Sequence, residues 1–145
     1  MATEPRTPLG VLLSAAERAL AADLEEGLRS AGYHDLRAAH AQVFAAIDAQ
    51  GSRLTDLAGR AGMTKQAMGE LVRYLEQHDY LHVEPDSRDR RAKLIRPTAR
   101  GWSAHQASIA LLVETDRRLS ERLGDQGLRD LRSHLARIGH GDSTP

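Results

Sequence analysis

The residues from Arg53 to Gly101 constrain the fold of this chain more than any others. They read RLTDLAGRAGMTKQAMGELVRYLEQHDYLHVEPDSRDRRAKLIRPTARG. A short helical signal over 55–61 meets a break at Gly62-Met63. A longer helical signal follows over about 64–78. Two short apolar runs, 80–83 and 93–95, then flank a charged tip at 85–91. The order is helix, tight turn, helix, hairpin.

The turn has a physical logic. Gly62 can take a positive φ between the helices, where a Cβ would be strained. Ala58 precedes it by one helical turn and is small enough to let the helices approach. Leu71 is expected to close a small core with Leu57 and Leu75. Thr64 is a good N-cap for the second helix. A winged helix-turn-helix has this layout, with its second helix in the DNA major groove. A plain helical hairpin with a glycine turn carries the same signs at these positions.

The tip adds a second sign. DSRDRRAK places Arg88, Arg90, Arg91 and Lys93 between two strand-like runs. A purely solvated hairpin turn favours Asn-Gly or Asp-Gly. Arginine suits phosphate forks and narrow minor grooves. The competing reading is a solvated loop in which Asp86 and Asp89 pair with the arginines.

On these residues the chain resembles the multiple-antibiotic-resistance-regulator (MarR) family of bacterial transcription factors. The family's wing signature, D-x-R-D-x-R followed by a strand and then an apolar-T-x-x-G step, is met by Asp86, Arg88, Asp89, Arg91, Ile95, Thr98 and Gly101. LTDLAGRAGMTKQAMGELV resembles the family's helix-turn-helix. Two residues depart from the pattern. Pro97 replaces an apolar strand residue and is expected to end the second wing strand early. Asp79 replaces a helix-ending glycine and is expected to alter that helix end.

The resemblance implies an α+β, mostly α, winged helix-turn-helix protein with one domain over residues 1–145. Residues 35–101 would form the DNA-binding lobe, and 1–34 and 102–145 the dimerisation helices. It implies a homodimer that binds double-stranded DNA at a pseudo-palindromic operator as a regulator, a repressor by preference. On the second helix, Lys65, Gln66 and Met68 would meet base edges, and Thr64 and Arg73 phosphates. Gly69 would let the helix back approach the groove. Arg88 and Arg90 would reach the flanking minor groove, while Arg91 reaches DNA or braces the tip against Asp86. In the family a ligand crevice separates the dimer helices from the DNA-binding lobe. Here His40, Phe44, Trp102 and His105 would line it and take a small aromatic effector; the alternative is that Trp102 plugs the core between lobes.

Composition sets limits on this reading. With 145 residues, one domain is expected. Only 3% of residues are aromatic and 41% hydrophobic, a lean core that suggests burial against a second subunit. The absence of cysteine excludes disulfides and thiolate metal sites. No apolar run reaches membrane-spanning length and the first residues carry no secretory signal, so a cytoplasmic protein is expected. Net charge is zero, but residues 1–52 carry −3, 53–100 carry +3, and 85–100 alone carry +4. A local basic patch suffices for phosphate neutralisation.

In chain order, Thr7-Pro8 is expected to cap a first helix whose stripe is Leu9, Leu12, Leu13, Ala16, Leu20, Leu24 and Leu28, ending near Gly32. Asp35 is expected to cap a second helix running to about 49, with Leu36, His40, Val43, Phe44 and Ile47 inward. Residues 52–54 are expected to be extended and to add to the wing sheet, and Thr55 to cap the third helix. Thr98 is expected to cap a long fifth helix of about 24 residues, with Trp102, His105, Ile109, Leu112, Val113, Leu119 and Leu123 at mostly helical spacing and Gly124 as its break. Leu128, Leu131, Leu135 and Ile138 form an a/d seam on a sixth helix. Residues 139–145 are expected to fray.

The seven histidines show no zinc-site spacing, and no hydrolase, metalloprotease or nucleotide-binding motif is present. No metal, cofactor or catalytic residue is therefore expected. A dimeric protein- or small-molecule-binding module without operator binding is the alternative function.

Overall fold

The computed structural model describes residues 6–139; the first residues and most of the tail expected to fray lie outside them. It contains α1 (Leu9–Ser30), α2 (Ala38–Ala46), α3 (Leu54–Ala61), α4 (Lys65–Gln77), β1 (Leu81–Pro85), β2 (Lys93–Pro97), α5 (Ala99–Leu123) and α6 (Asp125–Gly139). This is the mostly helical α+β winged helix the sequence implied. Two compact parts divide within α5, residues 1–111 and 112–145.

In the first part the core gathers inward faces from every element. Leu24 and Leu28 of α1, Val43 and Phe44 of α2, and Leu57 of α3 are buried. So are Met68, Val72 and Leu75 of α4, Tyr80 and Ile95 at the wing, and Ala104 of α5. The second-helix stripe proposed from the sequence, Leu36, His40, Val43, Phe44 and Ile47, is buried throughout. Leu71 is only half-buried, and Met68 and Val72 fill the place expected of it.

Several helix ends differ from the sequence reading. The N-cap of α1 is Pro8, without a side-chain cap, so Thr7 does not serve. The α2 helix starts at Ala38 rather than after Asp35 and stops at Ala46, where Ile47 turns extended. Its first turn is held by His40, whose Nδ1 accepts the Arg37 backbone N–H at 2.8 Å. Asp35 is drawn elsewhere: its carboxylate accepts the Tyr80 hydroxyl at 2.5 Å and Arg100 Nη2 at 3.0 Å. The α3 helix begins one residue early, so Arg53 and not Thr55 is its N-cap. Thr64 caps α4 as expected, its Oγ1 accepting the Ala67 N–H at 3.1 Å.

The two glycine-like helix ends share one geometry. Gly62 sits at φ 65° with Met63 N–H bonded to Ala58 O at 2.9 Å. Asp79 sits at φ 62°, with Tyr80 N–H on Leu75 O at 2.8 Å and Asp79 N–H on Glu76 O at 3.1 Å. That bond pair is the αL helix stop usually made by glycine. The altered helix end expected from Asp79 is therefore absent: the aspartate accepts the strain.

The wing is an antiparallel pair with Leu81 opposite Pro97 and Pro85 opposite Lys93. The strand reaches Pro97 instead of stopping short of it, and the proline is its last residue. Ser52 bridges to Ile95 and adds the short third segment foreseen for residues 52–54.

Thr98 caps α5, accepting the Gly101 N–H at 3.0 Å. The inward residues of α5 are Gly101, Ala104 and Ser108. Of the helically spaced α5 residues read from the sequence, Trp102, Ile109, Val113 and Leu123 are exposed and His105, Leu112 and Leu119 are half-buried. In residues 112–139, Arg132 of α6 is paired to Asp116 of α5. None of the residues of α6 is buried, and Leu131, Leu135 and Ile138 of its seam are exposed. Leu9, Val11 and Leu12 of α1 are likewise exposed. No helix is long and apolar enough to cross a membrane among the described residues.

Two outcomes follow from this packing. Asp79→Gly removes a Cβ from a left-handed site, and unfolding by urea should show a gain of about 1 kcal/mol. His40 is buried, and that burial holds its imidazole below the ordinary value of 6.5; Asp35 and Glu25 oppose the effect, Arg37 and His78 add to it. Above pH 6.5 both folded and unfolded chains keep it neutral. As pH falls below 6.5 the unfolded chain takes a proton that the folded site refuses, so stability is lost in that direction. His40→Gln keeps an acceptor for Arg37 without a titrating ring. Its stability loss between pH 7.5 and 5.5 should be smaller than that of the wild type, by at most about 1.4 kcal/mol.

Candidate nucleic-acid interface

The exposed side of α4 carries Lys65, Gln66, Glu70 and Arg73, with Thr64 at its head. Helical spacing puts Lys65, Gly69, Arg73 and Glu76 along one line. That line forms one wall of a cleft of about 540 Å³. Arg91, Lys93 and Val83 of the wing form the opposite wall, and Arg53 and Thr55 close its end. Among the described residues, no carboxylate pairs with Lys65, Arg73, Arg91 or Lys93. The cleft is therefore a gap between a helix and a hairpin with cations on both sides.

The wing tip has a built skeleton. Asp86 is only 7% exposed. Its Oδ1 accepts the Arg88 N–H at 2.9 Å, and its Oδ2 takes Nε and Nη2 of Arg53 at 3.1 and 2.8 Å. The Arg88 N–H and the Arg53 fork hold this carboxyl below its ordinary value. Asp89 likewise accepts the Arg91 N–H at 3.0 Å. Both aspartates hold the loop as the sequence suggested, but through backbone N–H groups. The brace assigned to Arg91 is made by Arg53 instead. The guanidinium groups of Arg88, Arg90 and Arg91 stay exposed and, among the described residues, without a carboxylate partner.

Of the residues singled out for DNA contact, Lys65, Arg73 and Arg91 line this cleft together, and Thr64, Gln66, Arg88 and Arg90 are exposed. Met68 is not. It is fully buried, three residues past Lys65 and turned into the core with Val72 and Leu75. Its apolar side chain follows the inward stripe, and it is withdrawn as a base contact. Gly69 does not need to be glycine for space: a Cβ there meets only Leu54 Cδ2 at 3.8 Å. The sequence reading missed Arg53. Its signal was available, since an arginine in an extended segment beside a wing strand can reach the aspartate that opens the tip.

The proposed effector residues are linked but do not line one open crevice. Phe44 is fully buried against Tyr80, their ring centroids 6.0 Å apart. His40 is buried and stacks on Tyr74 at 4.5 Å, and Tyr74 stacks in turn on His78 at 4.0 Å. Neither offers a surface to a ligand, because the core needs both. Trp102 is 40% exposed and stacks on His105 at 4.8 Å. His105 Nδ1–H donates to the Phe44 carbonyl at 2.6 Å. Trp102 is therefore not a core plug, and only the Trp102–His105 face remains open. No cluster of metal-ligating residues occurs among the described residues.

The MarR family model matches residues 34–92, the span from the loop before α2 to the wing. A comparison with curated protein sequences found no match. Solved structures of similar fold include CouR from Rhodococcus jostii RHA1 bound to p-coumaroyl-CoA. It is 24% identical with a TM-score of 0.76, over 94% of this chain and 95% of that one. The S. aureus MepR–DNA complex is 18% identical with a TM-score of 0.79, over 92% and 96%. The M. tuberculosis regulator MOSR in complex with DNA is 22% identical with a TM-score of 0.75, over 92% and 95%. The likeness to the MarR family read from the wing and the helix-turn-helix is borne out by the family model over residues 34–92, and the fold is shared with CouR and MepR over more than nine-tenths of the chain.

Proposed function

We propose that this chain is a transcriptional regulator, not an enzyme, that binds double-stranded DNA sequence-specifically as a homodimer and represses from a pseudo-palindromic operator. One observation carries the reading. Cations without carboxylate partners among the described residues line both walls of the cleft between α4 and the wing, and two further wing-tip arginines, Arg88 and Arg90, are exposed. A phosphate strand crossing that cleft meets Lys65 and Arg73 on one side and Arg91 and Lys93 on the other. Gln66 in the first turn of α4 reads a base edge, with adenine its best bidentate partner. Arg88 and Arg90 reach the flanking minor groove. The solved DNA complexes of MepR and MOSR support the assignment, since they share the fold.

Residues 35–101 act as the DNA-binding lobe, and residues 1–34 and 102–145 supply the dimer contacts. Leu9, Val11 and Leu12 of α1 and the Leu131–Leu135–Ile138 seam of α6 are exposed in the single chain, and a second copy is their expected cover. The protein works in the cytoplasm, where its operator is.

A gel shift on genomic fragments tests the reading. Six to ten phosphate contacts, roughly, per dimer should lower affinity about 10³-fold or more between 50 and 200 mM salt. Arg88→Ala and Arg90→Ala should weaken binding to all sequences with dimerisation unchanged. Gln66→Ala should relax preference at one base pair per half-site by roughly 1–3 kcal/mol. Salt-independent binding, or none, removes the assignment and favours a protein-binding module.

An aromatic effector is the second part of the proposal. The open Trp102–His105 face is its contact, and the p-coumaroyl-CoA bound by CouR shows that a protein of this fold takes an aromatic acyl group. Trp102 is the only tryptophan, so its emission reports locally. An effector that lowers operator affinity by about 5–150-fold should shift that emission. Trp102→Phe with His105→Ala should lose the response. A normal response in that double variant places control elsewhere.

A further inference from the structure

Three segments meet at one point beside the buried Tyr80: the end of α4, the start of α5, and the loop between α1 and α2. The Tyr80 hydroxyl donates to Asp35 Oδ1 at 2.5 Å and accepts from Arg100 Nη2 at 2.8 Å. The same Nη2 donates to Asp35 Oδ2 at 3.0 Å, and the Arg100 guanidinium carbon stands 4.3 Å over the Tyr80 ring. Tyr74 of α4 grips the Asp35 backbone carbonyl through its hydroxyl at 2.6 Å. The backbone is as tightly tied. Tyr80 O accepts the Thr98 N–H at 3.1 Å, and Thr98 Oγ1 donates to Asp79 O at 2.5 Å. Gly101 lies so close that a Cβ there would sit 1.8 Å from Tyr80 O.

From this geometry we infer that Asp35, Tyr80 and Arg100 form a positioning latch that fixes the direction of α4 relative to the first half of α5, and so sets which half-site spacing the dimer accepts. The inference rests on the regulator reading for its consequence but not for its geometry. The apolar contacts of the joint are separate from the polar triad: the Arg100 side chain is 51% exposed, and the Tyr80 ring lies edge-on to Phe44 at 6.0 Å. What the polar triad adds is angular. Three charge-assisted or hydroxyl hydrogen bonds add to the backbone ties and restrict rotation about the short Asp79–Leu81 and Pro97–Arg100 connections. Two recognition helices of a dimer must lie about one DNA turn apart, roughly 34–36 Å, so a small rotation at this joint moves each of them along the groove.

Two variants release the latch and spare the core: Tyr80→Phe, which keeps the ring, and Arg100→Met, which keeps the aliphatic stem. The chain has no cysteine, so spin labels on Glu70→Cys and Gln106→Cys, both exposed, report the α4–α5 distance in full-length protein diluted with unlabelled copies. The inter-label distance distribution should be narrow with the latch intact and broaden by about half or more in either variant. The second measurement uses duplexes selected by the wild type from a random pool, with one base pair then inserted at their centre. Wild-type discrimination against the insertion should fall about fivefold or more in the variants, with affinity for a single half-site duplex unchanged. Equal distance widths in latch variants and wild type overturn the latch. So does unchanged spacing discrimination where DNA is bound. If the wild type selects no duplex, the regulator reading fails, and the distance measurement still decides whether the three residues hold the joint.

Discussion

Burial of the Tyr80 ring is the constraint from which residues 6–111 take their arrangement. The ring is fully buried beside Phe44 and Tyr33, at centroid distances of 6.0 and 6.3 Å. A tyrosine can be buried there only if its hydroxyl is satisfied. Asp35 and Arg100 supply that satisfaction, and burial together with the Asp35 bond pushes the phenol up to about 12. Burial works against ionising Asp35, yet the Tyr80 bond and the Arg100 charge keep its carboxyl below the usual range. The residue is therefore a neutral donor facing a fixed anion, with no competing protonation near neutral pH. Because Tyr80 follows the left-handed Asp79 directly, the stop of α4 and the start of β1 are one structural event.

The wing depends on that anchor, because a two-stranded hairpin is marginal by itself. Leu81 and Ile95 bury its base, the Ser52 bridge adds a third segment, and the Asp86–Arg53 pair ties its far end to the head of α3. Arg96 and Glu84 pair at 2.9 Å on the outer face, which adds little at such exposure. The tip is thus supported from α3 as well as from α4, and its arginines project from a fixed base.

How much of this was legible follows from which signals are local. The glycine turn at Gly62, the Thr64 cap, the two wing strands and the Thr98 cap all rest on residues within a few positions of each other, and the structure has them where the sequence put them, except that each wing strand ends two residues later. The errors are of a different kind. Asp35 has the composition of an N-cap, but Tyr80 and Arg100, far along the chain, compete for its carboxylate and prevail. Arg53 answers to Asp86, 33 residues away. The outward face of α5 misled because helical spacing gives a stripe without saying whether the same chain covers it. Gly101, Ala104 and Ser108 reveal the inward face by their smallness, which lets α5 approach the core closely. The hydroxyl of Ser108 is buried with no partner among the described residues, a cost that a pattern of apolar residues does not display. Met68 failed as a contact for the opposite reason: proximity to Lys65 and Gln66 in sequence is a difference of face on a helix.

The spacing D-x-R-D-x-R can now be read as physics instead of as a signature. An aspartate whose carboxylate folds onto the backbone N–H two residues ahead closes a small turn, and the residue that provides that N–H is free to be anything. In this chain it is Arg88 after Asp86 and Arg91 after Asp89. Each aspartate is satisfied by the main chain of the arginine that follows it, and Asp86 in addition by Arg53 from another element. The carboxylates therefore do not quench the wing-tip guanidinium groups, as they would if the same residues paired side chain to side chain. Two acidic residues in a basic loop look like a loss of charge in the sequence. In the fold they convert a flexible arginine cluster into a shaped one, and they do it without taking a single arginine away from the surface.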